Sequence, residues 1–245
     1  MQPRVAAERS ALVLGGTGAV GSAVVRQLAA RGVAVAFTYL RSIDRARALA
    51  DEHGARAVEV DLADERAWRA ALDRIAEAGP RPDVLIACAA HSPPPGPPEP
   101  FDQLGADAWR ACFAVNVHAT ALACQWLVRG LDGDRGGDIV LVGALDRGQS
   151  LPLPVAHAAT QGALSAMAMA LGHELGERVR VNLVALGVLG EGLSRQLSTA
   201  HRRDYQRFSA LRREGTADEV ARTIVWMALE NRLIQGKVVA VNGGI

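Results

Sequence analysis

Apolar residues in this chain fall into short unbroken runs separated by longer amphipathic stretches, and the two kinds of segment alternate from end to end. The runs Ala11–Leu14, Val33–Thr38, Ala57–Val60, Val84–Ala87, Ile139–Val142, Arg180–Val184 and Val238–Val241 read as strands. Between them lie helical patterns. One is SAVVRQLAARG closed by Gly32, a second is Ile43–His53 closed by Gly54, and a third is Glu65–Ala78 stopped by Gly79-Pro80. Further helices are read over roughly Ala106–Arg129, over Val155–Leu175, and over Ala217–Leu229 with Thr216 as N-cap. The strands are apolar throughout instead of alternating, the mark of a parallel sheet covered by helices on both faces. No repeat or linker interrupts the pattern. Residues 1–245 therefore read as one doubly wound α/β domain.

In such a sheet, ligands bind outside the carboxyl ends of the strands. Two of those ends carry distinctive residues. The first strand runs into GGTGAVG, with Gly15, Gly18 and Gly21 between a strand and a helix. Small residues there let the backbone approach a pyrophosphate, and the helix N-terminus supplies donors. The second strand ends FTYLRS, with Tyr39 where an NAD site carries an acid for the ribose diol, followed by Arg41 and Ser42. A guanidinium and a hydroxyl suit a 2′-phosphate, which favours NADP over NAD, and Asp61-Leu62 falls beside the adenine. The fifth run leads through a Pro-punctuated loop to a helix on which His157 and Gln161, four apart, share a face. Chemistry is expected there.

Composition narrows the partners. At 245 residues, 49% hydrophobic and 22% charged, the chain has the makeup of a soluble globular protein. Its net charge is +1, and the pairs Arg202-Arg203 and Arg212-Arg213 have acids nearby, so no nucleic-acid surface is expected. MQPRVAAERS lacks the apolar core of a secretory signal, no uninterrupted apolar run approaches a membrane span, and Cys88, Cys112 and Cys124 read as core residues. A cytoplasmic setting follows, without membrane or metal. The segment HSPPPGPPEP reads as a stiff loop at the pocket rim, or else as a polyproline ligand.

GGTGAVG, VDLAD, DVLIACAA, FAVNV, the IVLVGA–HAATQ pair, VNLVALG and GKVVAVNGG follow one another over essentially the whole chain. In that order they resemble the short-chain dehydrogenase/reductase family, close to its ketoacyl-carrier-protein reductases. The resemblance implies a dinucleotide held by Gly15, Thr17, Gly18, Val20, Gly21, Tyr39, Arg41, Ser42, Asp61, Leu62, Ala89 and Gly187. It implies a small-molecule or acyl-carrier-bound carbonyl substrate and a lid over 191–213. It also implies a homo-oligomer, dimer or tetramer, or a hetero-oligomer, built on small-residue helices such as Ala158–Ala170. Asn116 is similar to the asparagine that organises the family's catalytic water chain.

The same alignment shows where the chain departs. Ala144 stands at the family's serine, His157 at its tyrosine and Gln161 at its lysine. Ala87-Cys88-Ala89-Ala90 replaces Asn-Asn-Ala-Gly, Leu186 replaces a proline, Ala19 replaces a glycine, and Glu191 stands where a hydroxyl meets the nicotinamide amide. His157, titrating near pH ~6.5, could take over proton transfer. Gln161 could hydrogen-bond a ribose hydroxyl. His91, Ser92, Asp146, Gln149 and Ser150 are further polar candidates. Three readings stay open: an NADP-dependent reductase with an altered proton donor (with NAD, or no cofactor, as variants), a non-redox enzyme using His157 as acid or base, and a silent subunit of an oligomer.

Overall fold

The structure is a computed structural model and describes residues 6–91, 99–132, 136–144 and 153–245. Ser92, most of the proline-rich loop, and Asp146, Gln149 and Ser150 lie outside the described residues. Seven strands form one parallel sheet: β1 (Ser10–Leu14), β2 (Ala34–Tyr39), β3 (Arg56–Glu59), β4 (Val84–Ala87), β5 (Gly137–Ala144), β6 (Val179–Leu186) and β7 (Val238–Val241). Their spatial order is β3-β2-β1-β4-β5-β6-β7. The helices are α1 (Ala19–Ala29), α2 (Ile43–His53), α3 (Glu65–Glu77), α4 (Ala106–Phe113), α5 (Ala119–Arg129), α6 (Val155–Glu174), α7 (Thr199–Phe208) and α8 (Ala217–Leu229).

Period-two geometry explains why the strands had to be apolar on both sides. Ala11, Val13, Val84, Ile86, Val140 and Val184 pack with Val24, Leu28, Val220 and Ile224 of α1 and α8. Leu12, Leu14, Leu85, Leu141 and Leu183 pack with Trp68, Ile75, Leu127 and Leu164 of α3, α5 and α6. The Trp68 indole donates to the Ala119 carbonyl at 3.0 Å, so its one polar atom is satisfied in the core.

The chain lays β2 and β3 to one side of β1, then returns to place β4 on the other side. Leu14 pairs with Ala87, and Ala87 with Leu141. The loops leaving β1 and β4 thus diverge at the sheet's centre and open the crevice in which a ligand can sit.

The expected long helix at 106–129 is two helices joined by a π-helical turn, Ala114–His118. By length and a mean hydropathy of 1.4 this segment could cross a membrane. Ala119, Ala123, Cys124 and Leu127 are instead buried against the sheet, so it is a core helix. At the opposite, amino edge of the sheet, Arg9 donates to Asp83 at 2.6 Å and to Asp138 at 2.7 Å, and Arg180 pairs with Asp138 at 2.6 Å. Burial opposes the Arg9 charge, and Asp138 and Asp83 more than offset it, raising its pKa. This network ties β1, β4, β5 and β6 together away from the crevice.

Candidate active site

A cavity of about 540 Å3 occupies the crevice. A hollow of about 430 Å3 between α3 and α5, rimmed by Arg69, Asp73, Glu77, Arg81 and Arg129, is separate from it and gathers none of the residues singled out in the sequence.

Gly15, Thr17, Gly18, Val20 and Gly21 form the middle of the cavity wall. Gly15 has φ +74°, and a Cβ there would lie 2.8 Å from the Ala89 backbone; a Cβ on Gly21 would collide with the Gly15 carbonyl. Thr38, which sequence reasoning did not single out, fastens this loop: its hydroxyl accepts from Gly15 N–H at 3.0 Å and its carbonyl from Gly16 N–H at 2.8 Å. The first-turn N–H groups of α1, at Ala19, Val20 and Gly21, have no intrahelical acceptor, and Gly18 offers no side chain to cap them. They form a cradle for an anion.

Tyr39, Arg41, Ser42, Asp61 and Leu62 line one end. Arg41 is exposed, and Ser42 is the N-cap of α2 with its hydroxyl unused for capping. Tyr39 leans toward Glu59, its hydroxyl 3.4 Å from the carboxylate, and burial first, then Glu59, raises its pKa. Asp61 accepts from Ala63 N–H at 2.9 Å, shaping the turn after β3.

Asn116, His157, Gln161, Ala144, His91, Gly187, Ala89 and Glu191 line the same cavity; Ala89 lies against Gly15, and Gly192, next to Glu191, lies against Ala19. Here the amides are committed. Gln161 Oε1 accepts from Ala144 N–H at 2.8 Å, and its Nε2 donates to the Thr160 hydroxyl at 3.2 Å. Asn116, within the π-helical turn and 1% exposed, accepts from His91 N–H at 2.6 Å and donates to Thr160 Oγ1 at 2.8 Å. The Thr160 hydroxyl donates to the His157 carbonyl at 2.7 Å, which leaves its own hydrogen-bonding capacity filled. Thr160, absent from the sequence reading, is thus the hub: Gln161 straps α6 to β5, while Asn116 holds the loop after β4.

His157 is 7% exposed, and its Nδ1 has no hydrogen-bond partner among the described residues. Burial first, then the charge of His91, lowers its pKa from 6.5, so the ring is neutral at pH 7 and carries one N–H and one lone pair. Cys88, on the same wall, is pushed up to about 12 by burial and is no nucleophile. Glu191 has turned to a helix terminus: its Oε1 accepts from Ala217 N–H, the first residue of α8, at 2.8 Å. Of residues 191–213, expected to form a lid, Glu191, Gly192, Leu193 and Ser194 line the cavity; the stretch forms a 3-10 turn (Gly192–Gln196) and α7. The latter is anchored by Tyr205 donating to the Asn242 carbonyl at 2.5 Å.

A family model described as enoyl-(acyl carrier protein) reductase matches residues 16–245. The chain belongs to the short-chain dehydrogenase/reductase family. It is 31% identical over 223 residues, 90% of its length and 89% of the relative's, to the cyclic-di-GMP-binding biofilm dispersal mediator protein of Escherichia coli. To a 3-oxoacyl-acyl-carrier-protein reductase of Aquifex aeolicus it is 29% identical over 242 residues, 96% of each chain. Among solved structures, a short chain dehydrogenase from Burkholderia cenocepacia in complex with NADP superposes with a TM-score of 0.86. The two share 32% identity, with 98% of this chain and 99% of that one covered. The seven-stranded α/β architecture is that of this family.

Proposed function

We propose that this family member binds NADP(H) and transfers hydride between it and a small-molecule or carrier-bound carbonyl compound, with His157 as the proton-transfer group. NADP is what the Burkholderia cenocepacia relative holds, and the cavity here has the features that such a ligand needs. The uncapped first turn of α1 suits its pyrophosphate, the close Gly15–Ala89 approach leaves room for the phosphates, and Arg41 with Ser42 suits a 2′-phosphate. Bound there, the dinucleotide supplies the hydride.

One observation carries the assignment of His157. It is a neutral, buried imidazole without a partner on Nδ1 among the described residues, in the same cavity as the phosphate cradle. It can give or take one proton at the substrate oxygen. Ala144 offers that oxygen no hydroxyl, and Gln161 no charge. Asn116 and Gln161 hold the His157 backbone through Thr160, and so act as positioning residues. Replacing a positioned acid or base costs about 10²–10⁴-fold in rate. His157→Ala should therefore lose at least about a hundredfold in kcat while keeping its affinity for NADPH. Absence of NADPH binding, or full turnover in His157→Ala, would overturn the proposal. We further propose a homo-oligomer built on the outer face of α6, where Ala158, Gly162, Ala166 and Ala170 are exposed in one stripe; light scattering reads this as a mass of two or four chains.

A further inference from the structure

We infer that the acid of this site is a pair of histidines: His91 holds the proton and recharges His157 with it. This rests on the reading of His157 given above, and adds where its proton comes from.

A neutral imidazole has one N–H and one lone pair. It can give that proton to a substrate oxygen only if its other nitrogen takes one in the same event, since the ring would otherwise be left as an anion. His157, neutral and buried, therefore needs a proton source. The hydrogen bonds that fix its backbone provide none. The Thr160 hydroxyl spends its only proton on the His157 carbonyl, and it accepts from the amides of Asn116 and Gln161. An amide N–H holds its proton and does not pass it on.

Among the described residues, the titratable groups lining the cavity are Tyr39, Arg41, Asp61, Cys88, His91, His157 and Glu191. The Cys88 thiol is pushed up to about 12 by burial, and burial, then Glu59, raises the Tyr39 phenol. Arg41 keeps its charge. Asp61 and Glu191 are turned to backbone N–H groups, those of Ala63 at 2.9 Å and Ala217 at 2.8 Å. His91 remains, and histidine is the side chain that exchanges protons near neutral pH. It is half-buried, so it meets water as well as the cavity.

The backbones of His91 and His157 stand three hydrogen bonds apart. The His91 N–H donates to Asn116 Oδ1 at 2.6 Å, Asn116 donates to Thr160 Oγ1 at 2.8 Å, and Thr160 donates to the His157 carbonyl at 2.7 Å. The rings are near enough for charge on His91 to hold the His157 pKa down, after burial. As pH falls, His91 thus charges first, and His157 stays neutral beside it. In a reduction, the carbonyl carbon takes a hydride from NADPH, and the C=O π pair moves to oxygen. That oxygen takes the His157 N–H proton. The other His157 nitrogen takes the His91 proton, and water recharges His91. One proton is consumed, and an alcohol and NADP+ are left.

The test follows exchange of histidine C2–H for deuterium in the full chain, read by peptide mass spectrometry from about pH 5 to about pH 8. The His157 midpoint should lie below that of His91. In His91→Asn it should rise toward 6.5 and stay below it, because burial persists. His91→Gln should act alike, and both variants keep the backbone N–H that Asn116 holds. His157→Gln should leave the His91 midpoint in place, since the neighbour lost is neutral. In reduction of ethyl acetoacetate by NADPH, His91→Asn should lose about a hundredfold in kcat at unchanged NADPH affinity, and free imidazole should restore it. A His157 midpoint unmoved in both variants, a His91 that charges after His157, or a loss that imidazole does not restore would overturn the inference. None of these touches NADP(H) binding. Full turnover in His157→Ala, or wild type that binds no NADPH, would instead remove the reading of His157 on which the pair depends.

Discussion

His157 couples the chemistry of the pocket to the stability of the fold. Its pKa in the folded chain lies below 6.5, from burial first and the neighbouring His91 second. Between that lowered value and 6.5 the unfolded chain takes up a proton that the folded chain refuses, so the proton difference favours unfolding as pH falls. The contribution is fully present above 6.5, is lost as pH drops toward the folded pKa, and levels off below it. Urea midpoints measured at about pH 7.5 and about pH 5.5 should therefore fall more steeply for wild type than for His157→Gln. A parallel decline in both would place the acid sensitivity elsewhere. The residue's position was legible because the spacing from Ile139 to Gln161 survives intact. What its neighbours do was not legible: the sequence shows that Gln161 is an amide, but only the fold shows that Ala144 N–H and Thr160 Oγ1 use both ends of it.

At the scale of elements, the sequence was read most successfully where local rules decide. Thr216 at the head of α8 is an N-cap, and it is half of a capping box: its hydroxyl accepts from Glu219 N–H at 3.2 Å while Glu219 accepts from Thr216 N–H at 3.0 Å. Arg213 and then the Thr216 N–H hold the Glu219 carboxyl down at about 2. Thr216→Ala should cost about 1 kcal/mol, read as a shift in urea midpoint. The π-helical turn at Ala114–His118 escaped the reading because no local signal marks it. It accommodates one more residue per turn than the flanking helices do, and it brings Asn116 against Thr160, 44 positions away. Glu191 was similarly opaque, since its acceptor role depends on Ala217, 26 positions on.

On the scale of the whole molecule, the two edges of the sheet are built for different tasks. Among the described residues, the carboxyl edge leaves helix N–H groups and an imidazole nitrogen uncommitted. The amino edge leaves little open, with Arg9 bridging Asp83 and Asp138 while Arg180 pairs with Asp138. Removing one member of a buried charge network leaves the others uncompensated, at about 3–5 kcal/mol. Asp138→Ala should lower stability by that much, and at a temperature where the variant stays folded its NADPH affinity should be unchanged. A change in affinity at full folding would show that the two edges are coupled.

The Gln161 strap also sets what position 161 tolerates. A lysine there would strip Ala144 N–H of its acceptor, at about 1–3 kcal/mol, and would set an ammonium beside Gly143 and the filled Thr160 hydroxyl. Gln161→Lys alone should therefore lower the urea midpoint, and an unchanged midpoint would show that the strap carries no load.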